Sequence, residues 1–289
     1  MMFHNFPQKI VLLIFCISSC SIFAQNNTLL YQFKKNGHKN IFVFGTIHVA
    51  KNELFNINQS LNKVIKKVDS AYFEIIPNEM EMMQAIQPYL YQSDSLSLKN
   101  YLNPKQKKIV STFLIQHFGN DNFINFHPLI INLSIHQTYY AKTDAKAMDS
   151  YFLERFEKSK KGVGQLESIQ YQLNLFNQRP IYQQIIEVLN SIENYNKHKN
   201  DLQQLFDIYA TQNLDSIYNF MLEEMNAEES KTFYLETLLN KRNLEMTEKI
   251  CDLSLKSSTI FFIGAAHLPG EKGIINLLRQ KGFSVSPLN

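Results

Sequence analysis

Tryptophan is missing from the 289 residues, and only three cysteines and nine glycines are present. Phenylalanine and tyrosine, at 22 and 14, supply the core-forming area that tryptophan does not. The cysteines are Cys16, Cys20 and Cys251; loss of an N-terminal leader leaves Cys251 alone, which excludes an internal disulfide. Cys251 falls among Ile250, Leu253 and Leu255 in a helical pattern and reads as an apolar residue rather than a nucleophile. A surplus of one charge is lacking too. Lys and Arg total 29 against 26 Asp and Glu, a formal net charge of +3, and no Lys/Arg block persists beyond a few residues. That pattern excludes the electrostatic footprint of a nucleic-acid binder. No solenoid-type repeat and no long low-complexity stretch occurs. With 45% hydrophobic and 19% charged residues, a folded globular protein is the expectation.

The N-terminus has the layout of an export signal. Lys9 precedes the apolar run Ile10 to Ser19, which is too short to span a bilayer comfortably. Ser21-Ile22-Phe23-Ala24 then offers cleavage before Gln25, so residues 1–24 are set aside from the fold. A competing signal overlaps it. Ile17-Ser18-Ser19-Cys20 resembles a lipoprotein signal that would leave Cys20 as a lipidated, membrane-tethered N-terminus. Cleavage after Ala24 is preferred, giving an exported periplasmic or extracellular protein with one domain over residues 25–289.

The remaining chain reads as mixed α/β. Leu29 to Lys35 and Asn40 to Gly45 are β-rich runs joined at Asn36-Gly37, a two-residue turn signal. Ile41 to Phe44 is continuously apolar, which suits a central strand buried on both faces. Ile57, Leu61, Val64, Ile65 and Val68 fall at helical spacing, and Ala71 to Ile76 reads as a strand. Strand, helix and strand in this order predict a βαβ unit with parallel pairing. A large helical insertion follows over about 79–256, with Pro104 opening one helix, Ile109, Phe113, Leu114 and Phe118 as its apolar face, and Pro180 breaking another run. Within it Gly162 to Glu167 reads as a short strand. Strand Thr259–Gly264, a helix through Ile274 and Leu278 closed by Gly282, and a strand at Phe283–Val285 restore the α/β pattern. The sheet is thus built from N- and C-terminal segments around the insertion.

One short pattern occurs twice. Val43-Phe44-Gly45-Thr46-Ile47-His48 and Phe262-Ile263-Gly264-Ala265-Ala266-His267 are each an apolar strand, a glycine, two residues and a histidine. In a chain with nine glycines, one at each strand end is not casual. Ligands of α/β sheets bind beyond the carboxyl ends of the strands. Glycine there permits a tight turn and close approach of backbone. If the two strands are neighbours, His48 and His267 converge, and two imidazoles begin a divalent-metal site. Glu74, flanked by Tyr72, Phe73, Ile75 and Ile76, is the third candidate, because an acid in such surroundings is costly unless paired or coordinating.

These residues resemble the TraB/GumN family, related to the Tiki proteins. The likeness lies in Gly45-Thr46-Ile47-His48 and in Glu74 on the next strand. It is strongest in Gly264-Ala265-Ala266-His267-Leu268-Pro269-Gly270-Glu271-Lys272-Gly273, followed by Lys281-Gly282-Phe283. Gly164-Gln165-Leu166-Glu167-Ser168 with Gln172, Asp149, and Arg242-Asn243 with Met246 are also similar to family segments. The resemblance implies a sheet-plus-helix fold and a metal site formed by His48, His267 and Glu74, with Mn, Co or Zn as the ion. It also implies peptide cleavage by the Tiki branch.

The resulting expectation is a metal-dependent hydrolase of a peptide or protein substrate. It needs no nucleic acid, and no membrane contact beyond a lipid anchor. Glu74 is a third ligand or the general base, and Glu167 a second acid serving as ligand or proton shuttle. Arg242 holds a substrate carboxylate or an oxyanion, or else forms a salt bridge on a solvated helix face. Asp149 pairs with Arg242 or sits at a helix start. Gly45, Gly264 and Gly270 shape the turns, and the helix after Gly270 adds its positive end. The alternatives are a haem- or metal-binding protein and a peptide-sequestering protein of the same fold, neither of which cuts a bond.

Overall fold

The computed structural model describes residues 27–90, 96–141, 143–223, 225 and 228–289. The leader, its cleavage site after Ala24 and the alternative lipidation site Cys20 lie outside the described residues. Strands β1 (Leu30–Lys34) and β2 (Ile41–Thr46) form the expected antiparallel hairpin, with Leu30 opposite Phe44 and Phe33 opposite Ile41. Every residue of β2 is buried, as its unbroken apolar run predicts. A two-residue strand β3 (Val49–Ala50) follows. Helix α1 (Leu61–Lys67) is shorter than the apolar spacing suggests and excludes Ile57. The reason is Asn58, whose side-chain oxygen accepts from the amides of Ser60 and Leu61 at 3.0 and 3.1 Å and so holds a turn just before the helix.

Strand β4 (Ser70–Phe73) is then placed differently from a simple βαβ unit. It does not pair with β2. Strand β7 (Thr259–Gly264), from the far end of the chain, lies between them and pairs in parallel with both. With β6 (Gly162–Gln165) and β8 (Ser284–Leu288) the sheet runs β6-β4-β7-β2-β1-β8; β6, β4, β7 and β2 are parallel, while β1 is antiparallel to both its neighbours. Local periodicity cannot report this order, because it rests on pairing between distant segments; in its central place Ile260 to Ile263 has no exposed side chain and fills both faces. Phe262 is the hub of the core. Its ring stacks on Phe73 at 5.0 Å and on Phe152 at 4.6 Å between centroids, and meets Phe44 edge-on at 6.0 Å.

The insertion is helical as expected. It holds α2 (Glu79–Leu90), α3 (Pro104–Phe118), α4 (Pro128–Thr138), the short strand β5 (Lys146–Ala147), α5 (Met148–Lys158), α6 (Ile169–Phe176), α7 (Ile181–Glu193), α8 (Tyr195–Ala210), α9 (Leu214–Glu223) and α10 (Glu228–Phe233). A π-helical stretch, Tyr234–Asn240, runs into α11 (Lys241–Ser254). Pro104 opens α3 behind a capping box made by Asn103 and Gln106. The buried face of α3 is Val110, Phe113 and Leu114, so Val110 takes the place expected for Ile109, and Phe118 is only partly buried. Helix α12 (Ile274–Gln280) packs on α11 near the C-terminus. Cys251 is half-buried against the main core, in keeping with an apolar role. Among the described residues no helix is long and apolar enough to cross a membrane.

Candidate functional site

Strands β2 and β7 are neighbours, so the two Gly-x-x-His turns leave the sheet side by side. Their registers differ by one residue: Gly45 lies opposite Ile263 and Thr46 opposite Gly264. Both glycines are spaces that a side chain would fill. A Cβ on Gly45 would sit 3.0 Å from Leu268 Cδ1 and 3.2 Å from Ala265. A Cβ on Gly264 would sit 3.1 Å from Glu74 Oε1, and it is the Gly264 amide that donates to that oxygen at 2.7 Å. The close backbone approach expected of Gly264 is thus made to a carboxylate of the chain itself.

Gly270 takes φ +89 beyond His267, whereas Gly273 has an ordinary φ but no room. A Cβ on Gly273 would lie 2.0 Å from the Pro269 carbonyl oxygen. We expect Gly273→Ala to cost about 3 kcal/mol through overpacking. Gly270→Ala, whose added Cβ meets nothing within 4 Å, should cost about 1 kcal/mol through backbone strain alone. Urea denaturation of both variants measures the difference, and equal costs would show that the turn yields.

Glu74 lies one residue past β4. The ladder with β6 continues there, since Glu167 N donates to Glu74 O at 2.8 Å, and this sets the two acids side by side. Both are buried, and Arg242 lies between them, itself 7% exposed. The guanidinium donates from Nε to Glu167 Oε1 and Oε2 at 3.0 and 3.1 Å. One terminal nitrogen reaches Glu167 Oε2 at 2.7 Å and Glu74 Oε2 at 2.5 Å. The other donates to Leu238 O, in the π-helical stretch, at 3.1 Å. Arg242 is therefore not on a solvated helix face, and its donors are spent on Glu74, Glu167 and Leu238. Nor does Asp149 pair with it: Asp149 takes the helix-start position, in the first turn of α5. Burial alone would raise the Glu74 pKa, but His267, Arg242 and the Gly264 amide outweigh it and bring it down to about 2.

His267 is buried beside this acid. Its Nδ1 is 2.5 Å from Asn243 Oδ1, and Asn243 Nδ2 donates to Lys272 O at 2.9 Å. An acceptor at Nδ1 places the ring proton there and leaves Nε2 as a lone pair, 3.8 Å from Glu74 Oε1. Burial pushes the His267 pKa down to about 3, so the ring is neutral at neutral pH and Arg242 is then the cation that holds Glu74 ionised. His48 is exposed on its turn and acts electrostatically on both Glu74 and His267. The site therefore has a buried floor of Glu74, Glu167, Arg242 and His267 with His48 at its rim. Gln172 donates to Glu167 Oε2 at 2.8 Å and to Glu74 Oε2 at 3.4 Å, and Tyr209 donates to Gly45 O at 2.7 Å.

Gln172 and Asn243 were marked only by likeness, without a role, and Tyr209 was not marked at all. The adjacency of Asn243 to Arg242 on α11 is the available signal for Asn243, and nearness to Glu167 in sequence is the signal for Gln172; Tyr209, in a helix remote in sequence, gives none.

Among the described residues no three His, Cys, Asp or Glu side chains are gathered as a metal-binding group. The donor chemistry of the floor nonetheless suits a divalent cation. Two carboxylates face one guanidinium and a neutral imidazole, so the buried cluster lacks positive charge. His267 Nε2 and Glu74 Oε1 stand close enough to share one ion, and Asn243 fixes the imidazole from behind as an outer partner does.

A parallel strand end carrying paired Gly-x-x-His turns over a buried Glu-Arg-Glu cluster defines an α/β protein with a polar site at the sheet's carboxyl edge. The chain belongs to the TraB/PrgY/gumN family, whose sequence profile matches residues 29–287. It is similar to Metalloprotease TIKI2 of Xenopus tropicalis, at 22% identity over 90% of this chain and 59% of that protein. It is also similar to Metalloprotease TIKI1 of Danio rerio, at 21% identity over 90% and 63% respectively. The alignments thus span about three-fifths of these relatives. No solved structure matches the chain.

Proposed function

We propose that the chain is an exported metal-dependent hydrolase that cleaves peptide bonds. The observation that carries this reading is the free Nε2 of a buried, neutral, Asn243-anchored His267 beside the ionised Glu74. Its likeness to proteins named metalloproteases supports the reaction class. His267, Glu74 and the rim residue His48 would hold the ion, which is Mn, Co or Zn; once bound it supplies Lewis acidity toward a carbonyl and toward water.

The chain's own groups do the rest. Asn243 keeps the His267 proton on Nδ1. Arg242 holds Glu74 ionised and aimed, and is a positioning residue rather than a clamp for substrate. Glu167 and Gln172 fix Arg242 and the back of Glu74. Exposed His48, at the end of a buried turn, leaves the rim open to an extended peptide.

Metal content and hydrolysis of a peptide library by the purified mature chain test this, alongside the His48→Ala/His267→Ala double variant. The wild type should hold a stoichiometric divalent ion and cleave, and the variant should do neither. If both proteins stay metal-free and equally silent with Mn, Co and Zn, the hydrolase reading is wrong.

A further inference from the structure

Asp149 is an acid at this end of the sheet that the cluster leaves aside. It sits in the first turn of α5, a helix held under the first Gly-x-x-His turn by the β3–β5 pairing and by the Met148 amide donating to His48 O at 3.2 Å. The Thr46 side chain and Glu74 both act on its carboxyl. The carboxyl thus lies between the Gly45–His48 turn and the end of β4. Its Oδ1 is buried without a hydrogen-bond partner. A buried carboxyl oxygen in that condition is costly unless it carries a proton or meets a ligand.

We propose that Asp149 is the proton shuttle of the hydrolysis, with Oδ1 as the working atom; this rests on the peptidase reading above. As water adds to the scissile carbonyl carbon, one of its protons passes to Asp149 Oδ1 and the hydroxyl joins the carbon. The C–N bond then breaks with its electron pair on nitrogen. The proton moves from Oδ1 to that nitrogen, which leaves as the amine. One water is consumed and the carboxylate is restored.

Glu167, named from sequence for this task, is occupied by Arg242 and Gln172, and Glu74 is held too acidic to carry a proton. Asp149 has the opposite environment. Burial, with Glu74 nearby and only Thr46 opposing, raises its pKa to about 7, where gain and loss of a proton are balanced. The other titratable group coupled to it is Tyr209 of α8, whose pKa burial raises well above the ordinary phenol value.

Asp149→Asn keeps the shape of the neutral carboxyl but cannot carry the proton. In metal-loaded enzyme its kcat should fall about 100-fold or more, with KM, metal content and melting temperature unchanged. Asp149→Glu should restore part of the rate. Infrared difference spectra give a readout without turnover: a protonated-carboxyl band that fades as pH rises through neutrality in wild type and is missing in Asp149→Asn. A rate for Asp149→Asn within about threefold of wild type, or the same infrared band in both, overturns the shuttle and leaves the hydrolase reading standing. A wild type that cleaves nothing removes both.

Discussion

Arg242→Ala should lose about 3–5 kcal/mol of folding stability, the cost of leaving buried charges without their partner. In a chain of this size that corresponds to a melting temperature lower by on the order of 10 °C. Glu74 and Glu167 are 8% and 5% exposed and cannot turn to water when the guanidinium is gone. Arg242→Lys should recover only part of the loss, because one ammonium cannot supply the forked set of bonds to two carboxylates and Leu238 O.

The pH dependence fixes the mechanism. In wild type the folded-state pKa of Glu74, at about 2, lies below the ordinary value of 4.5. Its contribution to stability is therefore complete above 4.5 and is lost as pH falls from there through about 2. In the variant, burial acts on Glu74 with Arg242 no longer opposing it and His267 neutral, so only the Gly264 amide resists it and acid relieves the penalty instead of causing one. The gap between the two proteins should be widest at neutral pH and narrow in acid. Thermal denaturation from pH 7 down to pH 3 measures it, and a gap below about 1 kcal/mol at neutral pH would mean the ion pairs behave as solvent-exposed ones do.

What could be seen in the sequence was whatever is written locally. The β1–β2 hairpin, β7, α12 and both Gly-x-x-His turns follow from turn residues, apolar runs and spacing, and so does the side-by-side exit of the two turns once β2 and β7 are taken as neighbours. Pairing across some 220 residues is not local, so the entry of β7 between β2 and β4 was not legible. The same limit applied to Arg242. A lone arginine on a helical pattern looks like a surface residue, and its burial depends on Glu74 and Glu167 arriving from two separate strands. Asp149 was read as structural because nothing near it in sequence reveals that Thr46 and Glu74 enclose it while leaving Oδ1 without a partner.

Glu74→Gln should cost both stability and activity at the same cluster. The two carboxylates exceed the charge of Arg242 by one, so the fold carries a negative charge that its own cation does not balance. Glutamine removes that excess and keeps an oxygen to accept from Gly264 N, but it turns an NH2 donor toward the Arg242 guanidinium, which stays bound to Glu167. Stability should therefore fall by about 2–3 kcal/mol, since the fold lowers the Glu74 pKa and so favours its ionised form. On the hydrolase reading the function is lost as well. The ion would lose its charged ligand, and several kcal/mol of transition-state stabilisation would go with it, roughly a thousand-fold in rate. Calorimetry, bound-metal content and peptide turnover on one preparation decide the matter. A variant as unstable as Arg242→Ala would make Glu74 a structural acid, and a stable variant that still holds metal and cleaves would remove Glu74 from the site.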